Sequence, residues 1–210
     1  MDSQAKIVNC MQIAALACGL EAPDEDQVKH IIGISLLPAI KQLFTLSDSD
    51  SDHQLAISIR EAYKTAYLEQ DQTPCPLFDG VNTMLAELQQ RGINMAVATG
   101  KARRGLQRAW QNTKTGCYFI ASRTADEAES KPSCDMLEQL LAELGISADQ
   151  AIMVGDTSYD MQMAKQLNMQ SIAVTYGVHN VEQLNTQTPT YTVNTVSQLH
   201  QLLLKTANAE

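Results

Sequence analysis

The sequence is short of basic residues and contains no long apolar run. Its 210 residues include 15 lysines and arginines against 24 acidic residues, a formal net charge of −9. Nucleic-acid phosphates and anionic lipid surfaces attract proteins with excess lysine and arginine, so this balance argues against broad contact with either. No apolar stretch approaches the ~20 residues that span a bilayer. We therefore expect no nucleic-acid partner and no membrane association.

Patterns for zinc and for disulfides are missing as well. The sequence has no C-x-x-C pair, and its four histidines are scattered without the spacing of metal ligands. The cysteines are odd in number, which is not typical of a disulfide framework: Cys10, Cys18, Cys75, Cys117 and Cys134. We interpret them as reduced thiols in a cytoplasmic protein.

The amino-acid composition is that of an ordinary folded protein. Hydrophobic residues make up 44% and charged residues 19% of the sequence, which is typical of a globular protein and not of a disordered one. The length suffices for one ample core, or for a core domain with a small accessory domain.

The first third of the chain has a helical pattern throughout. From about residue 4 to residue 70, apolar residues recur at helical spacing and no strand signal occurs. Ser3 is a candidate N-cap for the first helix, Gly19 a candidate stop, and Asp24 a candidate cap for the second. The stretch 71–76 contains two prolines and is typical of a linker. We predict an all-helical domain over residues 4–73.

After the linker, helices alternate with short apolar strands. The predicted strands are 93–98, 118–121, 151–154, 171–175 and 191–193, and the helices between and after them lie near 102–111, 133–144, 158–167 and 195–205. Wholly apolar strands between helices predict an α/β fold, a doubly wound parallel sheet covered on both faces. Residues 1–3 and 74–210 would form this core domain.

A threonine, a glycine and a lysine follow the first of these strands. Thr99 ends the strand, and Gly100 and Lys101 precede a helix. This position predicts that the Thr99 hydroxyl and the two following amides lie at the carboxyl edge of the sheet, where α/β folds bind ligands such as phosphate. The alternative is a plain helix N-cap.

Two further motifs carry charge. Asp156 and Asp160 are spaced i, i+4 after a buried strand, which places both carboxylates on one side of a helix start. Hard oxygen ligands suit Mg²⁺, although two such acids can also be a cap with a neighbour that favours the helix dipole. Lys131 precedes Pro132 at a predicted helix start, where an ammonium group opposes the dipole and needs a negative partner. An exposed turn is the alternative there.

In this order the motifs Asn94–Lys101, Ser130–Pro132 and Ile152–Asp160 resemble motifs two, three and four of the haloacid dehalogenase (HAD) superfamily. The similarity is greatest to its phosphoglycolate-phosphatase-like branch. Each motif is weak alone, but three in order behind a helical insertion are a strong joint signal. The resemblance implies a Rossmann-like HAD core with a small helical cap. It also implies Mg²⁺-dependent hydrolysis of a small phosphorylated metabolite through an aspartyl-phosphate.

The resemblance also implies residue roles. Thr99, with Gly100, would bind the transferring phosphoryl group, and Lys131 would neutralise charge on the nucleophile and the phosphate. Asp156 would ligate Mg²⁺, and Asp160 would orient Lys131 or a metal-bound water. The substrate stays open among phosphoglycolate, a sugar phosphate and a nucleotide.

One part of the family pattern does not occur in this sequence. The first HAD motif is an apolar strand ending in Asp-x-Asp-Gly-Thr-Leu, and Met1-Asp2-Ser3 resembles only the tail of that phrase. We expect the nucleophilic aspartate upstream of Met1, the sequence by itself to be inactive, and Asp2 to cap the first helix. The first core strand would belong between strands 93–98 and 151–154, which should not be direct neighbours. The alternative is a complete, catalytically dead binding or regulatory module.

Overall fold

The structure, a computed structural model, describes residues 1–206. Its contacts divide the chain into two units, Met1–Pro76 and Leu77 onward. The first unit is helical, and its elements are α1 (Gln4–Ala17), α2 (Glu25–Ile31), α3 (Leu36–Leu43), α4 (Asp50–Thr65) and a π-helical turn (Ala66–Gln70).

The helical unit follows its apolar periodicity. Buried side chains from all four helices form one core, including Met11, Val28, Ile40 and Ile59. Asp24 caps α2 through a reciprocal capping box with Gln27. Residues 1–3, which the sequence assigned to the core domain, group with the helical unit. Ser3 holds the N-cap position of α1 without a side-chain bond, and Asp2 Oδ1 accepts only a long bond of 3.4 Å from Gln4 N.

The second unit alternates helices and strands as the sequence predicts. Its elements are α5 (Val81–Gln90), β1 (Ala96–Thr99), α6 (Arg103–Thr113), β2 (Ala121–Thr124), α7 (Asp135–Leu144), β3 (Ile152–Gly155), α8 (Ser158–Gln166), β4 (Gln170–Val174), α9 (Val181–Asn185), β5 (Tyr191–Val193) and α10 (Val196–Thr206).

All strand pairs are parallel, and apolar layers cover both faces. Side chains of α5 and α10 pack on one face against Ile152 and Val154 of β3. Side chains of α7 and α8 pack on the other face against Met153, because successive strand residues point to opposite sides. The fold is therefore the predicted doubly wound α/β arrangement of a HAD-like core.

The strands form two sheets rather than one. Their orders are β1-β2 and β3-β4-β5, so within residues 1–206 both β1 and β3 have one edge without a strand partner. The β1 segment nevertheless contributes to the same two apolar layers, since Ala98 of β1 and Met95 just before it pack in clusters that also contain β3 residues. As predicted, β1 and β3 are not hydrogen-bonded neighbours.

Three predicted boundaries were wrong. The strand expected at 118–121 is β2 at Ala121–Thr124, and the apolar run before it includes a 3-10 turn at Gly116–Tyr118. The polar β2 residues are accommodated because Ser122 and Arg123 have hydrogen-bond partners. Strand β1 begins at Ala96 rather than 93. Helix α7 begins at Asp135, so Pro132 lies before the helix and not in its first turn.

The basic stretch Lys101-Ala102-Arg103-Arg104 follows β1, and its Arg103 has a structural role. Arg103 donates to Glu127 and to Ser122, and its backbone amide donates to Asp126 Oδ1, at 2.8, 2.7 and 2.9 Å. Its guanidinium holds the pKa of Glu127 at about 2, below the usual value. This network ties the start of α6 to the loop that follows β2. Among residues 1–206 no helix combines the length and apolarity that crossing a bilayer requires.

Candidate active site

Lys131 is buried between the end of β1 and the helix that follows β3. Only 6% of the residue is exposed. Its Nζ donates to the Ala98 carbonyl oxygen at 3.0 Å and lies 2.5 Å from Asp160 Oδ1. A buried ammonium needs a paired charge and further hydrogen bonds, and it has both here. Lys131 is therefore not part of an exposed turn.

Asp160 serves two structural purposes at once. Its Oδ2 accepts from the backbone amide and the hydroxyl of Thr157 at 3.1 and 2.8 Å, and Thr157 Oγ1 accepts from Asp160 N. This is a capping box at the start of α8. The Oδ1 atom faces Lys131. Since both oxygens have protein partners, the geometry favours Asp160 as the residue that orients Lys131.

Asp156 lies half-buried just before the N-cap of α8. Its Oδ2 accepts from Val178 N at 3.2 Å, and its backbone carbonyl accepts from His179 N at 3.0 Å. Burial, reinforced by the Asp160 charge, raises the pKa of Asp156 above its ordinary value. Burial and the Asp160 charge thus disfavour the ionised carboxylate. A bound cation would offset this effect, so a divalent ion suits this position.

The donor set fits Mg²⁺ only in part. Over the described residues no group of three or more His, Cys, Asp or Glu side chains could hold a metal ion. Mg²⁺ commonly takes one or two protein carboxylates and fills its octahedral shell with water and phosphate oxygens. Asp156 can supply one such carboxylate, whereas the predicted second ligand, Asp160, is engaged by Lys131 and Thr157.

Thr99 occupies the carboxyl end of β1 as predicted, but its hydroxyl is used locally. Thr99 Oγ1 accepts from Lys101 N at 3.2 Å. The Lys101 amide, which we expected to bind a ligand, therefore already has a partner. The N-cap of α6 is Ala102, so Thr99 is not a helix cap either. Gly100 lies in the turn between them. The hydroxyl proton of Thr99 remains available to a phosphoryl oxygen, because the Lys101 bond uses the oxygen as acceptor.

The chain matches a known protein family over most of its length. The family described as haloacid dehalogenase-like hydrolase matches residues 1–174. This chain belongs to that family. The three motifs that carry Thr99, Lys131 and Asp156 lie inside the matched range.

Individual HAD-like relatives match nearly the whole chain. Over 202 residues it is 31% identical to "Probable phosphatase IndB" of Dickeya dadantii, covering 95% of this chain and 86% of that protein. It is 26% identical to a phosphoglycolate phosphatase of Vibrio parahaemolyticus, covering 99% and 92%. A predicted phosphatase from Clostridium acetobutylicum has a similar structure, with a TM-score of 0.82 at 26% identity, covering 97% and 93%.

Sequence reasoning missed Thr157, Gly177 and His179. The pattern Thr157-x-x-Asp160 was available as a capping-box signal. Gly177 and His179 lie in the turn after β4, about 20 positions from Asp156, and nothing local links them to it. A side chain at Gly177 would overlap the Asp156 carboxylate, with its Cβ 2.6 Å from Cγ.

Gly155→Ala should destabilise the α/β unit by about 1–3 kcal/mol, since overpacking of a tight site costs that much. An added Cβ would lie 2.7 Å from Asp160 Oδ2 and would disturb the Lys131 pair. Urea unfolding measures the difference. The matched control is Gly105→Ala inside α6, where the new Cβ would lie 3.6 Å from the nearest atom. That change should raise stability by up to ~1 kcal/mol through helix propensity. Equal stability of Gly155→Ala and the unmodified chain would contradict the close packing of Gly155 against the Asp160 side chain.

Proposed function

We propose that this HAD-like chain belongs to a Mg²⁺-dependent phosphatase that hydrolyses a small phosphate monoester through an aspartyl-phosphate. The observation that carries the proposal is the burial of Lys131 against Asp160 at the carboxyl end of β1. A positive group fixed there, beside Thr99 and Asp156, suits a dianionic phosphoryl group.

Each residue has a role in this proposal. Lys131 has three ammonium protons, of which Ala98 and Asp160 take two, and the third would bind a phosphoryl oxygen. Thr99 would donate its hydroxyl proton to a second oxygen, with the Gly100 amide beside it. Asp156 would hold Mg²⁺, which supplies charge neutralisation to the phosphoryl oxygens. Asp160 would fix the position of Lys131.

The nucleophile would come from a strand that fits between β1 and β3. The acidic residues at the ends of β2 and β3 are already assigned: Asp126 and Glu127 are held by Arg103 and Thr124, and Asp160 by Lys131. Each of β1 and β3 has one edge without a strand partner among the described residues, and we propose that one more parallel strand pairs with both. In the HAD pattern that strand ends in Asp-x-Asp, which would place both aspartates beside Lys131.

The proposed chemistry has two displacements at phosphorus. An oxygen of the first aspartate forms a bond to phosphorus while the ester P–O bond breaks, and the second aspartate protonates the leaving oxygen. Water then attacks phosphorus, its proton passes to the second aspartate, and the aspartyl O–P bond breaks to release inorganic phosphate.

Hydrolysis of an aryl phosphate with Mg²⁺ tests the proposal. Three proteins are compared: this chain, the chain preceded by an apolar strand ending in Asp-x-Asp-Gly-Thr-Leu (the strand-extended chain), and the same extension with its first Asp replaced by Asn. Only the strand-extended chain should turn over substrate. Activity of the unextended chain after rigorous purification would contradict the assigned nucleophile. Inactivity of all three, with the extended forms folded, would favour a non-catalytic binding module.

The substrate class is a further part of the proposal. Because a relative of similar length is named a phosphoglycolate phosphatase, phosphoglycolate is the first substrate to assay, with a sugar phosphate and a nucleotide as comparators. We also propose a cytoplasmic protein without nucleic-acid or membrane partners. The five cysteines, which are free thiols, support a reducing compartment.

A further inference from the structure

His179 is a buried imidazole that the proposed chemistry does not use. It lies in the turn between β4 and α9 and is 1% exposed. Its ring packs at a tilt against Tyr159 of α8, with 5.6 Å between centroids. A fully buried polar ring requires specific partners, and those partners belong to the loop that carries Asp156.

The histidine binds this loop at two points. Ser158 N donates to His179 Nδ1 at 3.0 Å, and His179 N donates to the Asp156 carbonyl oxygen at 3.0 Å. Because a backbone amide can only donate, Nδ1 must be the acceptor and the neutral ring carries its proton on Nε2. The Ser158 hydroxyl lies 3.2 Å from the same nitrogen. Residues 156 and 158 are thus fixed on either side of the buried Thr157.

The same turn also fixes the carboxylate of Asp156. Val178 N donates to Asp156 Oδ2 at 3.2 Å. The missing side chain at Gly177 leaves the space that this carboxylate occupies. Ser158 N is one of the amides at the start of α8 that have no partner inside the helix, and the imidazole supplies one.

We propose that His179 is a positioning residue for the metal-binding carboxylate, acting through its Nδ1 acceptor. Mg²⁺ demands near-ideal octahedral geometry, so a ligand loop held in one orientation binds it better than a mobile one. The proposal rests on the proposed function in that Asp156 is taken as the Mg²⁺ ligand. The atom that matters is Nδ1, not the bulk or polarity of the ring.

Two substitutions distinguish an acceptor at the Nδ1 position from the bulk and polarity of the side chain. His179→Asn places an amide oxygen near the position of Nδ1, whereas His179→Gln places it near that of Nε2. Mg²⁺ is titrated into each folded variant of this chain, and the shifts of backbone amides 156–160 are followed by NMR. We expect His179→Gln to raise the Kd for Mg²⁺ by about 10-fold or more, as loss of outer-shell partners does. His179→Asn should stay within about threefold of the unmodified chain, as should the control His200→Asn.

A second readout needs no metal. Hydrogen exchange of the Ser158 amide should quicken at least ~10-fold in His179→Gln and stay near the unmodified rate in His179→Asn, because only Asn restores its acceptor. Equal Kd values and equal exchange rates in the Asn and Gln variants would overturn the proposal, as would a long-range ¹H–¹⁵N spectrum that shows Nδ1 protonated. If the unmodified chain and Asp156→Asn respond alike to Mg²⁺, the proposed metal site fails. The Ser158 exchange rates then decide the role of His179 alone.

Discussion

Asp156→Asn in the strand-extended chain should lower turnover of an aryl phosphate by ~10²-fold or more, since removal of the proposed Mg²⁺ ligand removes charge stabilisation from the transition state. The remaining activity should depend only weakly on Mg²⁺ concentration. Burial and the neighbouring Asp160 charge raise the pKa of the half-buried Asp156 carboxylate, and a bound cation would offset both effects. Asparagine keeps the shape and leaves an acceptor for Val178 N, so the fold should be little changed.

Asp149→Asn is the matched control for this experiment. Asp149 is exposed in the turn before β3, and its loss should leave kcat and Mg²⁺ dependence unchanged. Initial rates across a series of Mg²⁺ concentrations give both quantities. Wild-type turnover in Asp156→Asn would contradict the proposed role of Asp156 as the Mg²⁺ ligand.

Lys131→Met should lower the free energy of unfolding of this chain by about 3–5 kcal/mol, the usual effect of removing one partner of a buried ion pair. The change leaves the Asp160 carboxylate buried without its ammonium partner and leaves the Ala98 carbonyl without its donor. Methionine has a similar length, so the loss of packing is small. Urea unfolding followed by circular dichroism measures the effect.

The double variant Lys131→Met, Asp160→Asn separates charge from packing. Since it removes the uncompensated charge, it should recover a large part of the lost stability. Asparagine at 160 still supplies an oxygen to the Thr157 amide, which preserves the capping box. If the double variant recovers no stability, or if Lys131→Met alone loses less than ~1 kcal/mol, the ion pair contributes no more than an exposed surface pair does. Either result would contradict the prediction.

The sequence was sufficient for most of the fold, and it also predicted where three candidate site residues lie along the chain, for physical reasons. Thr99, Lys131 and Asp156 each sit at or near the end of an apolar strand or before a helix, and strand and helix periodicities are local signals. For Asp160, a cap and a partner for Lys131 were separate expectations, whereas the structure shows that a capping bond to Thr157 and an ion pair with Lys131 do not exclude each other.

Other features depend on contacts between distant segments. Strand β2 was misplaced because an apolar run was preferred over Ser122 and Arg123, whose polar groups are satisfied by Arg103 and Gln139. The positions of Gly177 and His179 beside the Asp156 loop follow from the pairing of β3 with β4. No pattern within either segment specifies that contact.

The most direct test of the proposed function is the mass of the strand-extended chain, quenched in acid during turnover of an aryl phosphate. We predict one added phosphoryl group on the first aspartate of the added strand, and none when Lys131 is replaced by Met. That result requires a strand to fit between β1 and β3 and to place a carboxylate beside Lys131, Thr99 and Asp156. Turnover without a phosphorylated aspartate, or a phosphoryl group on a residue of this sequence, would contradict the account.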